Sequence, residues 1–172
     1  RDWSSDVCSS DLQQIIEEIQ KYKNINLIAA IEKENSPSIN KNIKKIKITS
    51  DKEIAFKKAD TIIDFSLPNS TLETVKYAEK LKKKLVIGTT GLNANQVFKI
   101  KNASKKTPIV FAPNMSIGIN LLMKFVGKAS NILFSNNTSV EILDIHHKNK
   151  KDAPSGTALA LAAAVAEGKS FN

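Results

Sequence analysis

Apolar positions along this chain alternate between two spacings. Residues 13–22 (QQIIEEIQKY) place Ile15, Ile16, Ile19 and Tyr22 on one face of a helix. Residues 26–32 (NLIAAIE) form a short apolar run closed by an acid, the pattern of a buried strand. Residues 33–50 are polar and contain Pro37, which reads as a surface excursion, and 51–59 read as a short helix. TIIDFS (61–66) is the next strand. A helix follows Pro68, with Ser70 and Glu73 at capping-box spacing and an apolar stripe of Leu72, Val75, Ala78 and Leu81. KLVIGTTG (84–91) is a strand that ends in glycine and threonine, followed by a helix over 93–103. PIVFAPN (108–114) is another strand, and 116–134 a long apolar helix. SVEILDIHH (139–147) alternates as a half-exposed strand does, and 155–168 read as a helix with Ser155 at its N-cap.

Strands alternating with helices, and strands that are continuously apolar up to residue 114, predict an α/β fold. The expected core is a parallel sheet with helices on both faces and right-handed crossovers. Ligands bind such sheets at the carboxyl ends of the strands. Glu32 and Lys33, Asp64 to Ser66, Gly88 to Gly91, and Ala112 to Asn114 all fall there. An acid closing a strand, as Glu32 does, suits adenosine ribose hydroxyls, and a neighbouring cation such as Lys33 suits a 2′-phosphate. A charged strand end is also ordinary punctuation.

Composition narrows the classes. No apolar run reaches the ~18 residues of a membrane span. The first residues lack the order of a signal peptide. The single cysteine allows neither an internal disulfide nor a multi-thiolate metal site. A cytoplasmic location, no membrane partner and no metal are expected. The net charge of +9 raises nucleic acid as an alternative partner, but Arg1 is the only arginine and aromatics are few. Base and strand recognition usually need arginine forks and stacking platforms. A lysine-solvated surface without nucleic acid is the expectation.

Residues 1–12 (RDWSSDVCSSDL) stand apart. They hold the only Arg, Trp and Cys of the chain and show no apolar period. From Gln13 onward the composition turns to Ile, Lys and Asn. The segment is read as foreign to the fold.

HHKNKKDAPSGTAL (146–159) is the densest chemical feature. His146 and His147 are the only histidines, and Lys150 lies four positions after the first. Ser-Gly-Thr opens a helix whose free N–H groups, at Gly156 and Thr157, form a ready carboxylate site. Histidine titrates near neutrality and can deliver a proton. Adjacent histidines without Cys or a nearby acidic pattern do not have zinc spacing. These residue types suit protonation of a small anionic substrate.

DFSLPNST, VIGTTG, IVFAPNMSIGIN and EILDIHHKNKKDAPSGTAL occur in the order and spacing of the dihydrodipicolinate (4-hydroxy-tetrahydrodipicolinate) reductase family. The chain resembles that family from about Gln13 to its end. The resemblance implies a Rossmann-type parallel sheet lacking its first strand, followed by part of an α+β substrate and oligomerisation domain. Past the segment at 1–12 read as foreign, it implies an incomplete NAD(P)-binding domain at 13–115 and the start of a substrate-binding domain at 116–172. It implies NADPH or NADH as cofactor, a small cyclic dicarboxylate as substrate and a homotetrameric full-length protein of lysine and diaminopimelate synthesis. His146 corresponds to the family's proton donor and Lys150 to its second catalytic cation. His147, Lys150, Gly156 and Thr157 correspond to the groups that hold the substrate carboxylates. Glu32, Lys33, Gly88, Thr89, Thr90, Ala112, Pro113, Asn114 and Met115 correspond to cofactor contacts.

The family's opening strand and its glycine loop for the pyrophosphate have no counterpart in the sequence, so a chain truncated at both ends and weakly active or inactive is expected. Another Rossmann-type nicotinamide oxidoreductase, or a lysine-rich nucleic-acid-binding module, stays open as the alternative.

Overall fold

A computed structural model describes residues 7–112, 114–133, 139–146 and 154–170. The chain divides into two compact units, Arg1–Phe111 and Ala112–Asn172.

The first unit runs α1 (Val7–Ile19), β1 (Ala30–Ile31), β2 (Asn42–Ile43), β3 (Ile46–Thr49), α2 (Lys52–Lys58), β4 (Thr61–Asp64), α3 (Pro68–Leu81), β5 (Lys84–Ile87), α4 (Ala94–Ala103) and β6 (Ile109–Phe111). The second sheet, ordered β4-β5-β6, is all parallel, with Ile63 opposite Val86 and Ile87 opposite Phe111. One face of it carries the core. Ile62, Leu85 and Ile87 pack there with Phe56 of α2, Val75 and Ala78 of α3, and Ile100 and Ala103 of α4. Burying a Leu or Ile side chain contributes about 1.5–3 kcal/mol, so this face anchors the unit.

Each helix is set by local chemistry. Asp51 caps α2 by accepting the Ile54 N–H at 2.9 Å. Asn93 and Gln96 form a reciprocal capping box at α4, both bonds 2.9 Å. The α3 stripe packs as its spacing requires, with Val75 and Ala78 buried and Leu72 and Leu81 against the core.

The capping box expected at Ser70 and Glu73 does not form. The helix begins earlier, at Pro68 after Leu67, and that cap uses no side chain. Lys52 of α2 takes both residues instead, at 3.3 Å from Ser70 Oγ and 2.6 Å from Glu73 Oε2.

Other expectations change. Residues 7–12 are helical and continuous with 13–19, a run with neither glycine nor proline to stop it. The strand expected over 26–32 narrows to two residues, because β3 pairs with it on one side and no described strand pairs on the other. The excursion at 33–50 contains β2 and β3, an antiparallel hairpin. Ile46 and Ile48 alternate with Lys47 and Thr49, the period of a strand. The turn hid it, since Lys44 takes φ +59° where glycine or asparagine usually gives the signal. β3 then pairs parallel with β1, so the described strands form two three-stranded sheets, one of them mixed.

Helices were expected on both faces of the sheet. Among the described residues the face opposite the core is open, with Ile63 38% and Val110 59% exposed. In the second unit, the strand expected over 139–147 is irregular through 146, because no described strand offers it a hydrogen-bonding edge.

That unit is built on α5 (Ile117–Leu133) and α6 (Gly156–Ser170). They pack closely through Gly127 and Gly168. A Cβ at Gly127 would stand 3.2 Å from the Ala164 carbonyl oxygen, and one at Gly168 would overlap the Gly127 carbonyl. No described helix is long and apolar enough to cross a membrane.

Candidate active site

Two polar clusters stand where the sequence pointed, one in each unit. In the first unit the carboxyl ends of β4 and β5 meet around Asp64, which is 5% exposed. Its Oδ1 accepts from Ser66 N–H at 2.9 Å, Ser66 Oγ at 2.6 Å and Thr89 Oγ1 at 3.3 Å, with Thr71 Oγ1 3.2 Å away. Thr71 donates to Thr89 Oγ1 at 2.8 Å, and Gly88 N–H donates to the Asp64 carbonyl at 2.9 Å. A buried carboxylate oxygen with several donors fixes the loop it touches. Gly88 lets the backbone approach the Phe65 ring, which a Cβ there would overlap and push aside. Gly91 turns the exposed loop at φ +74°.

The expected cofactor residues of this unit divide. Thr89 is buried with its hydroxyl in the network, whereas Thr90 is exposed. Glu32 is half-buried just past β1, its N–H donating to the Thr49 carbonyl at 3.0 Å. Lys33 is exposed and opens a turn in which its carbonyl accepts the Ser36 N–H at 2.9 Å.

In the second unit the N-terminus of α6 gathers the cluster. Ser155 caps the helix, Oγ accepting the Ala158 N–H at 3.1 Å, as expected of it. Asp144 reaches the same residue, Oδ2 accepting Ser155 N–H at 2.8 Å and Oδ1 accepting Ser155 Oγ at 3.0 Å. The same Oδ1 stands 2.7 Å from His146 Nε2. The Ser155 N–H first, then the His146 and Ser155 side chains, hold the Asp144 carboxyl below the ordinary aspartate range, against its partial burial.

Gly156 and Thr157 are the first two residues of α6, and their N–H groups have no partner inside the helix. Asn114 Nδ2 donates to Thr157 Oγ1 at 3.1 Å, and Asn114 Oδ1 accepts the Ser116 N–H at 2.9 Å. Asn120 ties the Asn114 and Ser116 carbonyls, at 3.0 and 2.8 Å. Ala112 is half-buried and Met115 exposed. Pro113, His147 and Lys150 lie outside the described residues.

Residues 13–115 match the family model for the dihydrodipicolinate reductase N-terminus, and 118–171 the model for its C-terminus. The chain belongs to the dihydrodipicolinate reductase family. It is 46% identical over 160 residues to the 4-hydroxy-tetrahydrodipicolinate reductase of Pelagibacter ubique, covering 93% of this chain and 60% of that protein. It is 43% identical over 167 residues to the reductase of Buchnera aphidicola from Cinara cedri, covering 92% and 61%. The chain thus spans about three-fifths of these relatives' length. Among solved structures it is similar to a dipicolinate-bound dihydrodipicolinate reductase from Paenisporosarcina sp. TG-14. The TM-score is 0.69 at 26% identity, covering 91% of this chain and 62% of that one.

Within this reductase-family chain, the residue that motif reading passed over is Asp144. Its signal was present: in an extended segment residues 144 and 146 project from the same face. Thr71 was also passed over. It lies on α3, and only packing brings it to Asp64 and Thr89.

Proposed function

We propose that a full-length reductase carrying this sequence reduces 4-hydroxy-tetrahydrodipicolinate, by way of dihydrodipicolinate, to tetrahydrodipicolinate. It does so in lysine and diaminopimelate synthesis, as a cytoplasmic homotetramer. The single observation that carries this reading is the cluster at the start of α6, where His146 shares the Asp144 carboxylate with Ser155, next to the open N–H groups of Gly156 and Thr157. Such donors at a helix N-terminus suit a carboxylate. A half-exposed imidazole beside them suits proton delivery to the same small dianion.

The residues of the first unit fit part of a nicotinamide dinucleotide. The fixed loop from Gly88 to Gly91, with Thr90 exposed, offers backbone and hydroxyl groups at the carboxyl end of a parallel strand. Thr89 contributes through its backbone, its hydroxyl being held by Asp64 and Thr71. Glu32 suits ribose hydroxyls, and Lys33 a 2′-phosphate, so either NADH or NADPH is accommodated. Ala112, Pro113, Asn114 and Met115 complete the proposed contacts. Residues 13–87 hold no glycine, so no pyrophosphate loop is proposed among them. The 172-residue chain is accordingly proposed to be weakly active or inactive by itself.

A nicotinamide dinucleotide held by these residues would supply a hydride. Gly156, Thr157, His147 and Lys150 hold the substrate carboxylates. Asn114 fixes Thr157 from the chain entering α5. His146 gives the proton, and Lys150 stabilises developing negative charge. In the full-length protein, His146→Gln should lower kcat by about 10²–10⁴-fold, the usual worth of a general acid, with dinucleotide affinity unchanged. Steady-state oxidation of NADH or NADPH with freshly generated substrate measures it. An unchanged kcat would overturn the assignment.

A further inference from the structure

We propose that Asp144 is a positioning residue for His146: its carboxylate anchors imidazole Nε2 to the start of α6 and leaves Nδ1 as the nitrogen that delivers the proton. The inference rests on the reading of His146 as the proton donor, and goes beyond it by assigning the group that orients the ring and the nitrogen that acts.

The argument is geometric. Asp144 Oδ1 lies 2.7 Å from His146 Nε2 and accepts Ser155 Oγ at 3.0 Å, while Oδ2 accepts Ser155 N–H at 2.8 Å. A carboxylate with both oxygens on the residue capping α6 cannot turn away from the helix without losing two bonds. An ionised carboxylate only accepts, so the ring nitrogen facing it must carry a hydrogen. Nε2 is therefore a donor in both the charged and the neutral ring. The proton that leaves comes from Nδ1, and the neutral tautomer that remains is the one Asp144 already holds. No covalent bond to the protein forms. One N–H bond breaks, and the proton moves to the substrate atom.

Placement also fits the task. Ser155 directly precedes Gly156 and Thr157, the proposed carboxylate donors. Asp144 thus ties the ring to the same helix end that would hold the substrate. Orienting a general acid in this way is a recognised role for a carboxylate on the far side of an imidazole.

A double-mutant cycle in the full-length protein tests it. Asp144→Asn should lower kcat by about 10–100-fold, the scale for outer partners of a functional histidine, with KM values little changed. Asp144→Glu, which keeps the carboxylate, should recover part of the loss. In a His146→Gln background, Asp144→Asn should cost nothing further, because a positioning residue has nothing left to position. An equal loss in both backgrounds would mean that Asp144 acts on the helix end alone and would overturn the inference, leaving the function intact. A His146→Gln variant at full rate would overturn both.

If Asp144→Asn does not fold, ¹⁵N spectra of the imidazoles in the unmodified protein decide, with His146→Gln identifying the signal. A neutral His146 protonated at Nε2 supports the assignment. A ring protonated at Nδ1 contradicts it.

Discussion

At the scale of single residues, Asp144 has the clearest measurable consequence. The Ser155 N–H and the His146 and Ser155 side chains hold its carboxyl below the ordinary aspartate value of about 3.9. A group whose folded value is depressed contributes stability that is complete above the unfolded value. That contribution is lost as pH falls through the folded one. The thermal midpoint of the 172-residue chain should therefore drop as pH is taken below about 4, and Asp144→Asn should make that drop shallower. Circular dichroism melts at a series of acid pH values would measure it, and an identical slope in the variant would refute it. Glu53, bonded to Lys57, and Glu73, bonded to Lys52, are lowered in the same direction, but both are largely exposed and contribute weakly. Only the shared side of Asp144 and His146 is legible from residue parity. The inward turn of Thr89 is not, because its partners Asp64 and Thr71 come from other elements.

At the scale of elements, legibility followed how local each cause was. The α3 stripe and the Ser155 cap depend on residues within one helix, and both stand as the spacing predicts. The Ser70–Glu73 capping box depended on local spacing too, but Lys52, eighteen residues from Ser70, took both partners. The α5–α6 contact was invisible for another reason. Gly127 and Gly168 lie in ordinary helical runs, and only their juxtaposition reveals that Gly168 has no room for a side chain and Gly127 little. Gly168→Ala should gain up to about 1 kcal/mol in helix propensity. It should lose more, about 1–3 kcal/mol, by forcing α5 and α6 apart. The net effect expected is a lower urea midpoint for the 172-residue chain. A variant as stable as the parent would show that the helices can separate without cost.

At the scale of the molecule, apolar surface left uncovered is the dominant fact. Besides the open sheet face, Leu143 is 85% and Ile145 78% exposed in the second unit. Ile117, Phe125 and Ile132 of α5 are exposed as well. Exposed large apolar side chains, where they adjoin one another, mark interfaces or drive association. The 172-residue chain should bind the dye ANS while folded, and changing Leu143 and Ile145 to Lys should lower that fluorescence. No dye binding by the parent chain would contradict the exposure described.

The sequence by itself determined the class of fold, the order of most elements, the family and the chemical types at the proposed site. Each rests on periodicity, capping or motif spacing, which are properties of neighbours along the chain. Tertiary structure alone decided which sheet face is covered, that residues 42–49 pair as a hairpin and then join β1, and where the buried hydroxyls of Thr71 and Thr89 point. It also decided that Asp144 joins His146 to the helix end bearing Gly156 and Thr157. These depend on partners distant in sequence, whose competition for the same hydrogen bonds and the same buried surface no local pattern records.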